Sequence, residues 1–557
     1  MKGKKNLINI VIIFLVTLVI LFQLFYNDRY EGHDTIFHVT NIIKLSDTIS
    51  FNNIFGSNII TYDFNSYGYG VWLFYPKIPH LVASYVYLIL KDIYLSMNIV
   101  YFITTFLSGV FIYFLTDKIF KNKKVSLLSS VIYLTFPYHI CEIYTRDAFA
   151  ENFMFMVLPM IFLGLYNLKD NNYMKFYILF ILGYVIGINS HLVSMVYYTF
   201  FILIFIIYYR NIFFKKDKFL SLLISSFIVM GLCLPFIVSL LEHKALGIYR
   251  VFKDYFITLS YLKMMVIDFK SLFIQKAISG EVLTYFSKST IILFILAIYN
   301  FIVNCEDSVR KDKRIFLIFI VIVINFICSK ELWNYIPKLF LSIQFPWRLL
   351  VFLSLFISLF CSSVFLNKNK FILVRKVLLV IFLIFSIFDG LNNIRYYTDY
   401  EVSVDYALNS DYSLGYQYEY FADFSVLTQL KYGKDYFKYR KDGIILDGIG
   451  DALIKDDKFP NMDFVVNNIL DEIVIELPRS YYLGYELTDE SGKEIALFNN
   501  ENGFLSAIIN KDGEYKLRYV KTDLYRIALL IRMITFIVIL LVLVVKFLKW
   551  RRKRLLY

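Results

Sequence analysis

The chain has 557 residues, of which 58% are hydrophobic, 19% aromatic and only 18% charged, and its mean hydropathy is +0.59. Soluble proteins carry roughly 45–50% apolar and about 25% charged residues, so this chain lacks the polar surface to cover a globule of its size and reads as a polytopic membrane protein. Its formal charge of +13 does not point to nucleic acid, because the lysines and arginines sit in short clusters between apolar runs, as membrane topology demands.

The first run, Leu7 to Tyr26, follows Lys2, Lys4 and Lys5 and lacks a small-x-small cleavage site. It is expected to remain as an uncleaved anchor. A membrane helix needs about 17–25 apolar residues. Spans are predicted near 7–26, 97–116, 125–141, 149–168, 176–189, 192–209, 219–240, 289–305, 315–329, 348–366, 376–390 and 526–548. Residues 81–90 are apolar but too short to cross, and are assigned to the membrane interface. Residues 176–209 carry no formal charge and are read as two spans reversing at Asn189-Ser190-His191. With about twelve transmembrane helices and both termini cytosolic, the basic clusters fall on the cytosolic side. The expected location is the cytoplasmic membrane, crossed many times.

This divides the chain into a transmembrane domain at 1–390, with a first outer loop at 27–96, an extracytoplasmic insert at 391–525, and a last span with a basic tail at 526–557. The insert's second half alternates as strands: IVIEL (473–477), YYLGYEL (481–487), EIALF (494–498), FLSAII (504–509) and EYKLRYV (514–520). Turn residues at Asp489–Gly492 and Asn510–Gly513 separate them, and a small β-sandwich is expected. The tail KFLKWRRKR is a topology anchor, with anionic-lipid binding as its alternative. The five cysteines, Cys141, Cys233, Cys305, Cys328 and Cys361, lie in or beside apolar runs and read as small core residues.

Titratable groups near the membrane plane are costly and often functional. All six histidines (His33, His38, His80, His139, His191 and His243) fall on the outer side of this topology. In EGHDTIFH, Glu31 to His38, Asp34 suits two roles. Its carboxylate can cap the following helix, or serve as general base with His33 and His38 nearby. The same three side chains are candidates for a divalent cation, although one short helix rarely supplies a full ligand set. In FPYHICEIYTRDAFAEN, Glu142, Arg146, Asp147 and Glu151 crowd one turn. They are either a solvated loop with local ion pairs or a cluster in which Arg146 meets an anion. In IQFPWRLL, Trp347 and Arg348 read as an interfacial anchor, and Arg348 also sits where a lipid phosphate would be held. The segment at 76–92 is expected to form one wall of a lateral groove roofed by the β-rich insert. No phosphate loop, dinucleotide fingerprint or serine elbow occurs.

Together GHDTIFH, FPYHICEIYTRDAFAENFMFMVLP, the turn at 189–191, QFPWR at 344–348 and YYLGY at 481–485 resemble the bacterial membrane family labelled 6-pyruvoyl-tetrahydropterin-synthase-related. More distantly the chain resembles the YfhO-type membrane proteins, and both look like members of the GT-C class of polytopic glycosyltransferases. The resemblance covers nearly the whole length. It implies a GT-C-like fold and transfer of a sugar from a polyprenyl-phosphate donor to a cell-envelope polymer or glycolipid. It implies Asp34 as catalytic base, where the commoner pattern is an adjacent Asp-Glu or Asp-Asp pair. His33, His38, His139, Glu142, Arg146, Asp147, His191 and Arg348 are then candidate substrate and phosphate contacts. The pterin in the label implies no pterin chemistry here, and the sequence requires no cofactor. Two alternatives stand beside this expectation: a non-catalytic envelope-assembly or lipid-binding protein, and a polysaccharide polymerase or exporter.

Overall fold

The structure, a computed structural model, describes residues 2–26, 32–62, 65–253, 258–274, 282–303, 309–366, 372–394, 425–426, 429 and 444–555. Glu31 and Cys305 lie outside the described residues, as does most of 391–443. The chain divides into two compact units: Met1–Ile43, Lys77–Ser226 and Tyr255–Ser403 in the first, and Lys44–Pro76, Phe227–Asp254 and Val404–Tyr557 in the second.

In chain order the helices are α1 (Lys2–Tyr26), α2 (Thr35–Thr48), α3 (Val71–Phe74), α4 (Ile78–Leu90), α5 (Ile93–Phe120), α6 (Lys123–Leu134), α7 (Pro137–Tyr144), α8 (Phe149–Lys169), α9 (Tyr173–Ile188) and α10 (Leu192–Tyr208). They continue as α11 (Arg210–Phe213), α12 (Lys216–Leu246), α13 (Leu259–Met264), α14 (Lys288–Val303), α15 (Arg310–Cys328), α16 (Leu350–Ser362), α17 (Ile372–Ile394) and α18 (Asp523–Leu555). Among the described residues, seven helical segments are long and apolar enough to cross a membrane: Lys5–Tyr26, Ile93–Phe120, Phe149–Lys169, Lys216–Leu246, Pro346–Leu366, Lys376–Ile394 and Asp523–Leu548. Shorter apolar helices stand at Ile78–Leu90, Tyr173–Ile188, Leu192–Tyr208 and Lys288–Val303.

The span expected at 125–141 is not one helix. Phe136 is extended, and Pro137 opens a separate helix, α7. Proline lacks the N–H that would continue the ladder and disfavours helical backbone before it. The reversal expected at 189–191 is present between α9 and α10. Local caps set several other boundaries. The Asp92 carboxylate accepts the Leu95 N–H at 2.9 Å, and Asn122 accepts from Lys124 and Val125 to open α6.

In the first unit α8 is the axis, with its apolar window wholly buried. Phenylalanines join it to its neighbours. Phe162 meets Phe356 at 5.2 Å, Phe319 meets Phe356 at 4.8 Å, and Phe201 stacks on Phe352 at 4.3 Å. Such ring contacts add directional packing to apolar burial. At the C-terminal end of α8, Asp312 accepts the Tyr166 hydroxyl at 2.7 Å, pairs with Lys169 at 3.2 Å, and accepts from Tyr209.

Among its described residues the second unit contains a two-stranded, a four-stranded and a five-stranded sheet. Strands β1 (Ile60–Tyr62) and β2 (Asn65–Tyr69) form a separate hairpin. The remaining strands are β3 (Ile444–Asp447), β4 (Asp451–Asp456), β5 (Met462–Asn467), β6 (Ile473–Ser480), β7 (Tyr485–Asp489), β8 (Glu494–Ile495), β9 (Leu497–Asn499), β10 (Phe504–Ile509) and β11 (Gly513–Tyr519). They order as β3-β6-β10-β9 and β4-β5-β11-β7-β8. Ile473, Ile475, Leu477, Phe464, Val466, Leu487 and Leu517 are buried, and Leu487 and Leu517 alternate with the polar, more open Glu486, Thr488, Lys516 and Arg518. Residues 481–484 do not extend the strand as expected. Gly484 turns the chain with φ +100, and Tyr482 leaves the sheet to stack on Tyr249 at 5.7 Å. His243 joins that corner, donating through Nδ1 to the Ser239 carbonyl at 2.7 Å and accepting the Leu483 N–H at 3.3 Å.

Candidate functional site around Asp34 and Arg146

The segment before α2 runs along the turn between α7 and α8. His33 N–H donates to the Thr145 carbonyl and Asp34 N–H to the Arg146 carbonyl, each at 2.9 Å. Glycine is needed to open this ladder. A Cβ on Gly32 would lie 2.6 Å from the Asp147 Cβ and 2.8 Å from its nitrogen, closer than atoms can pack. Asp147 itself is left-handed at φ 49, a conformation that Asp tolerates better than most residues. Its carboxylate accepts the Thr35 hydroxyl at 2.5 Å and the Tyr101 hydroxyl at 2.6 Å, while Thr35 accepts the Gly32 N–H at 2.7 Å. Asp147 thus fixes the start of α2, and with it Asp34.

The expected capping bond is absent. Among the described residues no backbone N–H reaches the Asp34 carboxylate, whose charge partner is Arg146 Nη2 at 3.9 Å. Arg146 is buried. Its Nη1 donates to Glu142, to Glu151 Oε2 at 2.8 Å and to the Tyr138 hydroxyl at 3.1 Å. Its guanidinium lies over the Trp347 ring at 4.8 Å, a cation–π contact in a dry setting. Arg348 joins through the same carboxylate, with Nε 3.2 Å from Glu151 Oε2. Its Nη1 donates to the Ile343 carbonyl and to Gln344 Oε1, both at 3.0 Å. Glu142, Arg146, Asp147 and Glu151 are not a solvated loop: none is more than 4% exposed.

Burial raises the Asp34 carboxyl above the ordinary carboxylate range, against Arg146, Arg348 and His33, which lower it. The side chain keeps 44% of its surface open, so solvent tempers that rise. Burial also pushes Glu142 up to about 8, and the neighbouring Glu151 adds to this against Arg146. Both arginines are thus held against carboxylates, of which Asp34 is the exposed one.

The other expected site residues distribute as follows. His33 is exposed beside Asp34. His38 turns inward, its Nδ1 2.8 Å from His80 Nε2, and both rings pack near Phe149. His191 caps α10, its Nδ1 accepting the Ser194 N–H at 3.3 Å. It feels the charges of Glu151, Arg348 and Arg146. His139 lies apart, stacked on Phe155 at 3.8 Å with Nδ1 3.1 Å from the Tyr133 carbonyl. Asp147 is a positioning residue whose carboxylate already serves two hydroxyls. Among the described residues no three His, Cys, Asp or Glu side chains group to hold a metal ion, so His33, Asp34 and His38 form no such set.

Residues 72–397 match the model of a family described as a 6-pyruvoyl-tetrahydropterin synthase related domain, membrane protein. The chain belongs to this family. Glu142, Arg146, Glu151, His191 and Arg348 lie inside the matched residues, while Asp34 and His38 precede them. No curated protein matches the chain. Among solved structures this family member is similar to the Archaeoglobus fulgidus oligosaccharyltransferase in the apo form, with a TM-score of 0.42 and 12% identity over 78% of this chain and 60% of that one. The same enzyme in complex with Zn and sulfate gives 0.40 and 13%, over 77% of this chain and 57% of that one. This family member thus spans about 60% of the length of the oligosaccharyltransferase.

Sequence reading missed His80, Tyr101, Tyr138 and the bridging role of Glu151 in this membrane-family protein. His80 carried a signal. Pro79, His80, Ala83 and Ser84 are the buried side of α4, a helical stripe on which the histidine is the titratable member. Tyr101 and Tyr138 had none, being ordinary residues of apolar runs.

Proposed function

We propose that this protein is a membrane glycosyltransferase of the GT-C class, moving a sugar from a polyprenyl-phosphate donor to a cell-envelope polymer or glycolipid with inversion. The observation that supports this reading is the cluster of Asp34, Arg146 and Arg348, tied through Glu151. Asp34 takes the proton of the acceptor hydroxyl. The freed oxygen attacks the anomeric carbon, and the bond to the phosphate breaks with its electron pair leaving on the phosphate. Arg146 Nη2 and Arg348 balance that charge, so the leaving group needs no proton. In the topology that goes with this reading, the chain crosses the membrane with both termini in the cytosol and the site on the outer face.

Purified protein in liposomes, offered radiolabelled polyprenyl-phosphate sugars with and without EDTA, tests the reading and its cation requirement together. Asp34→Asn should abolish transfer; an Asp34→Asn variant as active as wild type would overturn the assignment. One observation favours a second reading, a non-catalytic lipid-binding protein. Arg146 Nη1 is already occupied by Glu142, Glu151 and Tyr138. That reading expects binding of the lipid donor without turnover in the same assay.

A further inference from the structure

Away from this site, in the second unit, α18 carries a charge where a membrane helix should have none. Between Arg526 and Lys546 its only charged residue is Arg532. The window is strongly apolar and only 6% of it is buried, the surface a helix presents to lipid. Arg526 marks the polar end of the helix through Glu486 at 2.9 Å and Asp523 at 3.1 Å. Arg532 lies six residues further on, about 9 Å along the axis.

Its stem is held in place. Nε donates to the Leu232 carbonyl of α12 at 2.9 Å, in the turn before Pro235, where proline removes an N–H and crowds the carbonyls behind it. The helices approach closely here: a Cβ on Gly231 would lie 2.5 Å from Thr535 Oγ1. Small residues permit such contact between membrane helices. Thr535 gives its own proton to the Ile531 carbonyl at 2.8 Å. Among the described residues, Nη1 and Nη2 of Arg532 have no protein acceptor.

A bare guanidinium in hydrocarbon is expensive. Helical side chains lean towards the N-terminus of their helix, which carries these two nitrogens back towards the headgroups nearest Arg526. The anion available at that depth is a lipid phosphate, and a planar fork of N–H donors suits it. We propose that the notch between α12 and α18 is a lipid-phosphate site in which Arg532 holds the headgroup phosphate. A mere clip between two helices would need Nε alone.

The full-length protein in detergent micelles is titrated separately with phosphatidylglycerol, a polyprenyl monophosphate and diacylglycerol, with bound lipid counted by native mass spectrometry. Arg532→Gln keeps an N–H for the Leu232 carbonyl and removes the charge. It should weaken binding of the phosphate-bearing lipid by about 10-fold or more and leave diacylglycerol unchanged. Whichever phosphate lipid loses affinity identifies the source of the headgroup. Equal binding of both by Arg532→Gln and wild type overturns the site. Should the variant not fold, wild type is irradiated with photoreactive phosphatidylglycerol and polyprenyl phosphate. Adducts on 228–236 or 529–536 support the site, and adducts only elsewhere overturn it.

Discussion

Arg146 Nη2 and Asp34 Oδ2 are 3.9 Å apart, a charge contact without a hydrogen bond. The gap leaves the carboxylate oriented but able to accept a proton. Removing its basicity while keeping its shape is the direct test. Asp34→Asn should lower the transfer rate by about 10²–10⁴-fold, the usual range for a general base, with donor binding retained. A loss confined to donor affinity would place Asp34 in binding instead.

The raised Asp34 pKa sets an expected pH profile. The base acts when ionised, so kcat/KM should rise with pH through an acidic limb lying above the ordinary carboxylate range. Arg348 lowers that pKa. Arg348→Gln should therefore move the limb further towards neutral pH, beyond any fall in its plateau. A limb that stays put or moves to lower pH contradicts the assignment of Asp34.

Gly32 makes a steric prediction. Gly32→Ala drives a methyl into Asp147 and the Thr145 carbonyl, so the 32–34 segment must lift from the backbone of 145–146. Destabilisation of about 1–3 kcal/mol is expected from overpacking of this kind. Because Asp34 hangs on that ladder, activity should fall further than the melting temperature implies. Equal transfer rates for folded variant and wild type would uncouple the ladder from the site.

Glu142 links stability to pH. Its folded pKa, about 8 against an ordinary 4.5, means the folded protein holds a proton that the unfolded chain releases. Its contribution is full below the lower value and declines as pH rises towards the higher one. Thermal unfolding in micelles should show that decline in wild type. Glu142→Gln, neutral throughout, should flatten it; an unchanged slope would assign the pH dependence elsewhere.

Topology is tested by single cysteines at Lys121 and Lys493, both exposed. In intact cells an impermeant maleimide should label position 493 and spare position 121. The reverse pattern inverts the membrane orientation and moves the site to the cytosolic face.

Much of the fold was legible because its signals are local. Apolar length marked the long helices, Asn189-Ser190-His191 marked the reversal, and alternation marked β6 and β10. Pro137 was legible as well, yet apolar length alone argued for a continuous span through it. In the site, residue types pointed to Asp34, Arg146 and Arg348, because charge beside apolar runs is informative wherever the chain folds. What stayed hidden was pairing at a distance. Asp147 reaches Tyr101 across 46 positions, and His38 reaches His80 across 42. Periodicity within one segment cannot reveal such partners. The burial of Glu142 and Glu151 was hidden for the same reason, since the helices that close over them lie elsewhere in the chain.

The contact between His38 Nδ1 and His80 Nε2 has room for one proton when both rings are neutral. If His38 donates, its own Nε2 is bare and the hydrogen of His80 sits on Nδ1; if His80 donates, both assignments reverse. The two tautomers are therefore one variable shared by α2 and α4. Neither ring can change its tautomer unless the other changes with it.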